Sequence, residues 1–313
     1  MKNTLRLLTL TLSMLVATHA QAKFERMTGF SNPGALNMLT YKPAGFTEKA
    51  PVVVVLHGCQ QKAQSFATET GWKMMADELG LILLLPEQTT GNNGLGCFTW
   101  FEKGDITRGR GEIASIANAI DSLEQTEAIN TDKVFVTGLS AGATMAAALM
   151  ANYPEKIKAG AIVSGVSYGC AFQLFQSFTC MFAPGNQSAK TRGDYVRDAA
   201  GSFSGTFPKV TIIHGSSDPF VKPANGDHSV AQWTNVHGID ATADNQRALS
   251  NSNQVVDEHR AGNKVVVEKI TIKGGGHGWP VAARAGCGST SQFVIETGVC
   301  AVRELAKSWN LKK

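Results

Sequence analysis

Between an apolar run, Val134–Val136, and an alanine-rich stretch, Ala143–Met150, two glycines flank a serine: Gly138-Leu139-Ser140-Ala141-Gly142. The order reads as strand, tight turn, helix. A serine in so sharp a turn crowds its neighbours, and Gly138 and Gly142 remove the side-chain volume that would collide. The Ser140 hydroxyl then projects above a sheet edge at a helix N-terminus, where backbone N–H groups favour developing negative charge. Short patterns of this kind also arise by chance in glycine- and serine-containing turns. The strand before this one and the small-residue helix after it weigh against chance.

The rest of the chain alternates in the same way. Leu36–Tyr41, after an Asn32-Pro33-Gly34 turn, is expected to begin an antiparallel edge. Val52–His57 is a continuous β-branched run, the mark of a strand buried on both faces. Thr70–Leu79 reads as helix and Leu81–Pro86 as a second buried strand. Gly111–Glu127 places Ile113, Ile116, Ala117, Ile120 and Leu123 on one helical face. The strand Lys133–Thr137 and the helix to Asn152 follow, with Pro154 as the stop. Ala159–Ser164, Val210–His214 and Lys264–Lys273 are three further strands, and a terminal helix carries Val302, Leu305, Ala306 and Trp309 on one stripe. This alternation predicts an α/β fold, a mostly parallel sheet with helices on both faces.

Met1–Ala22 has the form of a secretory signal peptide: Lys2 and Arg6, an apolar stretch Leu7–Ala17 too short to span a bilayer, and an Ala20-Gln21-Ala22 cleavage site. Its removal takes two positive charges from a formal net charge of +4, leaving a near-balanced chain with no reason to bind nucleic acid or another polyanion. The remainder has no apolar run of about 18 residues, so no membrane span is expected. It also has no Pro/Ser/Thr-rich linker, repeat or low-complexity tract, so residues 23–313 read as a single domain. All six cysteines, Cys59, Cys97, Cys170, Cys180, Cys287 and Cys300, follow the leader. In an exported chain, whether periplasmic or extracellular, an even count favours disulfides. Cys170–Cys180 and Cys287–Cys300 would close short loops, and Cys59–Cys97 would join loops after neighbouring strands. No Cys-x-x-Cys pair or Cys/His cluster stands at zinc-ligand spacing, and no metal or other cofactor is expected.

A glycine-flanked serine at a strand-to-helix turn is the nucleophile elbow of α/β-hydrolases, in which Ser, Asp or Glu, and His follow in that chain order. Two strands after the elbow, Val210–Gly215 is followed by Ser216-Ser217-Asp218-Pro219, which makes Asp218 the carboxylate candidate. One strand later, Gly274-Gly275-Gly276-His277-Gly278 presents His277 as the base, in a glycine-rich loop suited to moving the ring over the serine. Asp227, Asp240 and Asp244 are rivals to Asp218. His214, His228, His237 and His259 are rivals to His277, but none follows the last strand in a glycine-rich loop. An oxyanion hole needs two backbone N–H donors. Ala141, next to the nucleophile, and Cys59, in the His57-Gly58-Cys59-Gln60 strand end, are the candidates.

The set His57–Gln60, Thr70-Gly71-Trp72, Leu85–Gln88, Cys97-Phe98-Thr99-Trp100-Phe101, Gly111–Ile116 and Gly138–Gly142, continued by His214-Gly215, Asp218, Val221, Pro223, Asn225-Gly226 and Gly276-His277, resembles the extracellular poly(3-hydroxybutyrate) depolymerase family. That family is similar to feruloyl and acetylxylan esterases. The resemblance covers most of the chain after the leader. It implies an α/β-hydrolase fold, a Ser140–Asp218–His277 triad, an oxyanion hole at Cys59 and Ala141, and Trp100 lining the acyl pocket. Trp100 and Phe101 could otherwise be core aromatics.

Polymer-degrading members carry a linker and a C-terminal module that adsorbs to solid polyester, whereas this sequence stops at Lys313 just after its last helix. The expectation is therefore a secreted serine esterase for soluble hydroxyalkanoate oligomers, amorphous polyester or other short-acyl esters. A feruloyl- or acetylxylan-type carbohydrate esterase is the alternative, and a non-catalytic exported binding protein a weaker one. In the region from 166 to 207, Phe172, Phe175, Phe178 and Phe182 stand at near-helical spacing. They suit either a lid or an insertion that buries its own aromatics.

Overall fold

The computed structural model describes residues 22–44, 46, 49–127, 129–249 and 254–312. Residues 1–21, nearly all of the expected leader, lie outside them. Among the described residues a ten-stranded sheet forms the centre. Its strands are β1 (Lys23–Arg26), β2 (Asn37–Lys42), β3 (Ala50–Leu56), β4 (Ile82–Glu87), β5 (Ile129–Leu139), β6 (Ala159–Val163), β7 (Lys209–Gly215), β8 (Asn245–Ala248), β9 (Val255–Ala261) and β10 (Lys264–Ile272). They lie in the order β1-β2-β4-β3-β5-β6-β7-β10-β9-β8. From β4 to β10 neighbours run parallel, and an antiparallel pair closes each side.

The helices are α1 (Ala63–Glu69), α2 (Trp72–Leu79), α3 (Gly111–Thr126), α4 (Ala141–Asn152), α5 (Leu174–Phe182), α6 (Ala189–Ala200), α7 (Ala224–Val236) and α8 (Ala301–Ser308). Successive strand residues point to opposite faces. Val52, Val54 and Leu56 therefore join one core with α3, α4 and α7, while Val53 and Val55 join a second with α1, α2 and α8. This is why β3 reads as an unbroken apolar run. In the second core Trp309 stacks on Phe135 at 5.0 Å and on Trp72 at 5.7 Å. Every residue of α4 is buried, so its alanines let it sit close against the sheet and α6 without a polar face.

The structure departs from the sequence reading at the margins. β2 is antiparallel as expected, but β1 covers it and takes the edge. The β8–β9 pair on the other side was not anticipated. Its residues, Asn245-Gln246-Arg247-Ala248 and Val255–Ala261, are largely polar. They hold together through cross-strand pairs such as Arg247–Glu258 at 3.0 Å, a pattern with no apolar period. After β10 come two three-residue strands, β11 (Trp279–Val281) and β12 (Val294–Glu296), so β10 is not the last. Helix α5 buries none of its aromatics fully: Leu174, Phe175, Phe178 and Phe182 face outward, and Phe172 is only partly buried against Tyr195. No helix among the described residues is long and apolar enough to cross a membrane.

The cysteines are joined in the three expected pairs, Cys59–Cys97, Cys170–Cys180 and Cys287–Cys300. Cys287–Cys300 spans a separation of 13 residues and ties the segment after β11 to the start of α8. Removing it with a Cys287→Ser/Cys300→Ser pair should lower unfolding free energy by about 2–5 kcal/mol, chiefly through the unfolded chain. Urea unfolding followed by circular dichroism checks this, and an unchanged midpoint would refute it.

Candidate active site

The turn after β5 carries the strain its sequence suggests. Ser140 has φ 55° and ψ −116°, a conformation L-residues rarely adopt. Two hydrogen bonds fix it: its N–H donates to Val163 O at 2.9 Å, and its carbonyl accepts from Thr144 N–H at 3.0 Å. A Cβ at Gly138 would lie 2.4 Å from the Gly142 carbonyl, and one at Gly142 would lie 2.4 Å from the carbonyl oxygens of Leu56 and His57. A side chain at Gly142 would push the elbow off the end of β3, and one at Gly138 would collide with the first turn of α4. The pattern is therefore a packing requirement where the elbow meets the end of β3 and the start of α4.

A second backbone contact brings Asp218 and His277 together. The loops after β7 and β10 are tied by Ser216 N–H to Ile272 O (3.0 Å), Ser217 N–H to Gly275 O (2.9 Å) and Gly274 N–H to Ser216 Oγ (2.8 Å). A Cβ at Gly215 would lie 2.4 Å from both Gly275 O and Gly276 O. These bonds hold the loop, and its tightest backbone approach is to a glycine across from it, on β7. His277 Nδ1 then lies 2.8 Å from Asp218 Oδ2. The edges of Phe220 and Phe293 flank the imidazole at centroid distances of 5.5 and 5.7 Å. Ser140 Oγ makes no hydrogen bond among the described residues. The Ser140-to-imidazole link is therefore open in this structure, as is common before substrate binds.

The Asp218 side chain is fully buried. Burial alone would raise its pKa. The hydrogen bond from His277 and the charge of that ring outweigh burial, helped by the Val221 N–H at 2.8 Å, and hold the carboxyl below its ordinary 3.8. Phe220 N–H also donates to Oδ1, at 2.9 Å. The carboxylate is thus ionised and aimed at one ring nitrogen. Among the rival histidines, only His214 stands near it, with Nε2 3.5 Å from Asp218 Oδ2. Burial lowers the pKa of His214, and its Nε2–H donates to Val221 O at 2.9 Å, so it acts as a neutral prop for the Asp218 turn. His237 and His259 bond to Pro208 O and Thr242 O instead.

On the β3 side, the N–H groups of Cys59 and Ala141 have no hydrogen-bond partner among the described residues. The peptide that carries the Cys59 N–H is held from its other end. His57 Nδ1–H donates to Gly58 O at 2.7 Å, and His57 Nε2 accepts from Gln88 N–H at 3.1 Å. Burial lowers the His57 pKa and keeps the ring in the single neutral tautomer these bonds require. A trans peptide directs C=O and N–H oppositely, so fixing Gly58 O fixes the direction of the Cys59 donor. Gln61 Nε2–H donates to Gln292 O at 2.9 Å, which ties this loop to the segment holding Phe293. Trp100 is buried, in edge contact with Phe101 at 5.5 Å and in the same apolar cluster as Ala141. Among the described residues no ring contact joins it to His277.

Phe220, Phe293 and the Gln88–His57 relay were not singled out by position in the sequence. Phe220 follows Asp218-Pro219 and was within reach of that reasoning, whereas Phe293 arrives from a distant loop with no motif of its own. A cavity of about 490 Å³ opens at the opposite edge of the sheet, beside Lys158, Lys209, His237 and Lys264, and includes none of these residues.

Known proteins resemble this chain over most of its length. Residues 36–257 match the family model described as esterase PHB depolymerase, a span that holds Ser140 and Asp218 and stops before His277. The chain is 39% identical over 273 residues to poly(3-hydroxyalkanoate) depolymerase C of Paucimonas lemoignei, covering 86% of this chain and 66% of that protein. It is 32% identical over 255 residues to an acetylxylan esterase of Coprinopsis cinerea, covering 80% and 67%. It thus spans about two thirds of the length of these relatives. Among solved structures, acetyl xylan esterase from Aspergillus awamori superimposes with a TM-score of 0.75 at 26% identity, covering 82% of this chain and 94% of that one.

If Gly215 seats the loop after β10, Gly215→Ala should misplace His277 and lower ester hydrolysis on the order of 10²-fold. Gly276→Ala, whose Cβ would meet nothing within 4 Å, should have a much smaller effect. Steady-state rates of the two purified variants decide this, and equal losses would favour a hinge.

Proposed function

Because this chain belongs to the esterase PHB depolymerase family, we propose that it is an exported serine esterase cleaving 3-hydroxyalkanoate esters, with 3-hydroxybutyrate oligomers and amorphous polyester as its substrates. The observation that carries the reading is the Asp218–His277 hydrogen bond at the sheet edge where the Ser140 elbow also ends. Ser140 Oγ attacks the ester carbonyl while His277 Nε2 takes its proton, and Asp218 holds the ring in the Nδ1–H tautomer and stabilises the imidazolium. The carbonyl oxygen, now an anion, accepts from the Cys59 and Ala141 N–H groups. Collapse expels the alcohol, which receives the proton from His277, and an acyl-Ser140 ester remains. Water then attacks that ester through the same imidazole and releases the acid. No cofactor enters any step.

The name of the Paucimonas lemoignei relative supports hydroxyalkanoate esters as the substrate class. The aromatic flanks at Phe220 and Phe293 suit the same chemistry, as would Trp100 if it lines the acyl pocket as the family resemblance implies. Three disulfides favour a compartment that is oxidising, periplasmic or extracellular. One continuous sheet supports a single catalytic domain over residues 23–313.

Ser140→Ala should lower hydrolysis of p-nitrophenyl butyrate by about 10³-fold or more, and His277→Ala similarly. Equal rates for wild type and Ser140→Ala would remove the nucleophile, and no hydrolysis by wild type would favour a binding protein. Product analysis should show faster release from hydroxybutyrate oligomers than from acetylated or feruloylated xylan. The reverse preference would assign the carbohydrate esters instead.

A further inference from the structure

The exposed apolar side chains of this protein are gathered at one rim. Among the described residues the large ones left in water are Leu95, Leu174, Phe175, Phe178, Phe182 and Phe220. Four of them stand on α5. Phe220 meets the His277 ring by an edge, at a centroid distance of 5.5 Å. Leu95 sits against the Cys59 loop, its carbonyl accepting the Gln60 N–H at 2.9 Å. Helix α5 joins the same rim near its end. Met181 O accepts the Lys222 N–H at 2.9 Å and Asn225 Nδ2–H at 3.2 Å, and Lys222 follows Phe220 by two residues. Exposed apolar residues standing singly need no explanation, whereas a gathered patch marks an interaction site.

The amphipathicity of α5 is reversed. A surface helix turns its apolar stripe toward the core. Here Ser177 and Cys180 are the buried residues, and Phe175, Phe178 and Phe182, spaced three and four apart, share the outward stripe. Phe175 is 81% exposed. Covalent and polar restraints fix the helix in that pose. Cys170–Cys180 staples it, and Gln176 Oε1 accepts the Phe172 N–H at 2.8 Å. Just past its end the buried Arg192 guanidinium donates to Gly185 O at 2.7 Å and to Gln187 O at 3.2 Å. Restraints on both sides of α5 argue for a fixed face and against a lid that folds over the site.

Charge, area and position select what this face meets. From Ala159 to Ala189 the chain has no Asp, Glu, Lys or Arg, and Lys222 adds one positive charge beside Phe220. Helices that seat on anionic lipid carry Lys and Arg along their polar face, and α5 carries neither. The side chains of α5 and Phe220 expose roughly 500 Å², at about 150–250 Å² for a whole aromatic side chain. A stable dimer buries about 800 Å² per partner, so the patch is small for a second copy of this chain. It also runs into the rim that holds His277, where the ester must arrive.

We propose that α5, with Phe220 and Leu95, is a docking face for the surface of a water-insoluble, uncharged hydroxyalkanoate polyester, which it seats against the catalytic rim. This deepens the esterase reading and rests on it. Aromatics already held in place lose water on docking without further ordering of the helix, so the contact forms at little entropic cost.

The test uses Phe175→Gln/Phe178→Gln, at two outward positions, and Phe175→Leu/Phe178→Leu, which keeps the face apolar. Adsorption to amorphous poly(3-hydroxybutyrate) granules is measured by depletion in a Ser140→Ala background, so that the granules are not eroded. Thermal melts and p-nitrophenyl butyrate kinetics are measured on the same α5 changes with Ser140 intact. The Gln pair should weaken adsorption at least about tenfold and the Leu pair less than about threefold. Soluble-ester kcat and KM should stay within about twofold of wild type in both, with Tm unchanged. Adsorption with α5 unaltered should persist from about 0.05 to 0.5 M salt, because no charge carries it. Equal adsorption by the Gln pair and its parent overturns the proposal, as does adsorption lost at high salt. Tighter binding to phosphatidylcholine vesicles than to granules overturns it in favour of a lipid surface. A dimer in sedimentation that the Gln pair abolishes overturns it in favour of a second copy. Wild type that cleaves soluble ester but does not adsorb sinks the docking face alone, whereas wild type that cleaves no ester sinks the esterase reading and this role with it.

Discussion

Backbone packed on backbone at the carboxyl edge of the sheet is the constraint on which the rest depends. At Gly142 the elbow meets the carbonyls of Leu56 and His57, and at Gly215 the end of β7 meets those of Gly275 and Gly276. A Cβ at either place would lie 2.4 Å from oxygen, far inside contact distance, in a region too densely packed to yield. These two contacts draw the loops after β3, β5, β7 and β10 to one rim. The strain at Ser140, about 1–3 kcal/mol, persists because α4, buried along its whole length, and the Val163 carbonyl leave the turn no alternative.

Two buried carboxyls show how donors decide a charge where burial alone does not. Both Asp218 and Glu112 lose water on folding, which raises the pKa of each. Asp218 faces an imidazole and receives two backbone N–H groups, so it ends below its ordinary value. Glu112 receives donors as well but faces Asp105, and it ends near neutrality. One group is placed to orient a ring with fixed negative charge. The other sits behind the Cys59 loop with its carboxyl pushed up by burial.

The histidines divide by their bonds. His57 and His214 are buried and neutral, each with its tautomer set by a backbone carbonyl, at Gly58 and Val221 respectively. Among the described histidines His277 makes the shortest approach to a carboxylate, 2.8 Å to Asp218 against 3.5 Å for His214. That difference, which a count of histidines cannot show, follows from the glycine contact that lays the β10 loop across β7.

Sequence alone determined the alternation of strands and helices, the elbow around Ser140, the chain order of Ser140, Asp218 and His277, and the pairing of cysteines across short loops. These are legible because local chemistry writes them: β-branched runs, glycines at a sharp turn, and short spacings that close a loop. Only the tertiary structure decided the polar β8–β9 edge, the outward face of α5, the aromatic pair around His277, and the link from Gln88 through His57 to Gly58. Phe293 reaches His277 from a loop beyond β11, and Gln292, beside it, bonds Gln61 from a loop after β3. Such meetings depend on which segments the sheet brings side by side. No local pattern encodes that, because the distances involved are set by strand order and not by spacing along the chain.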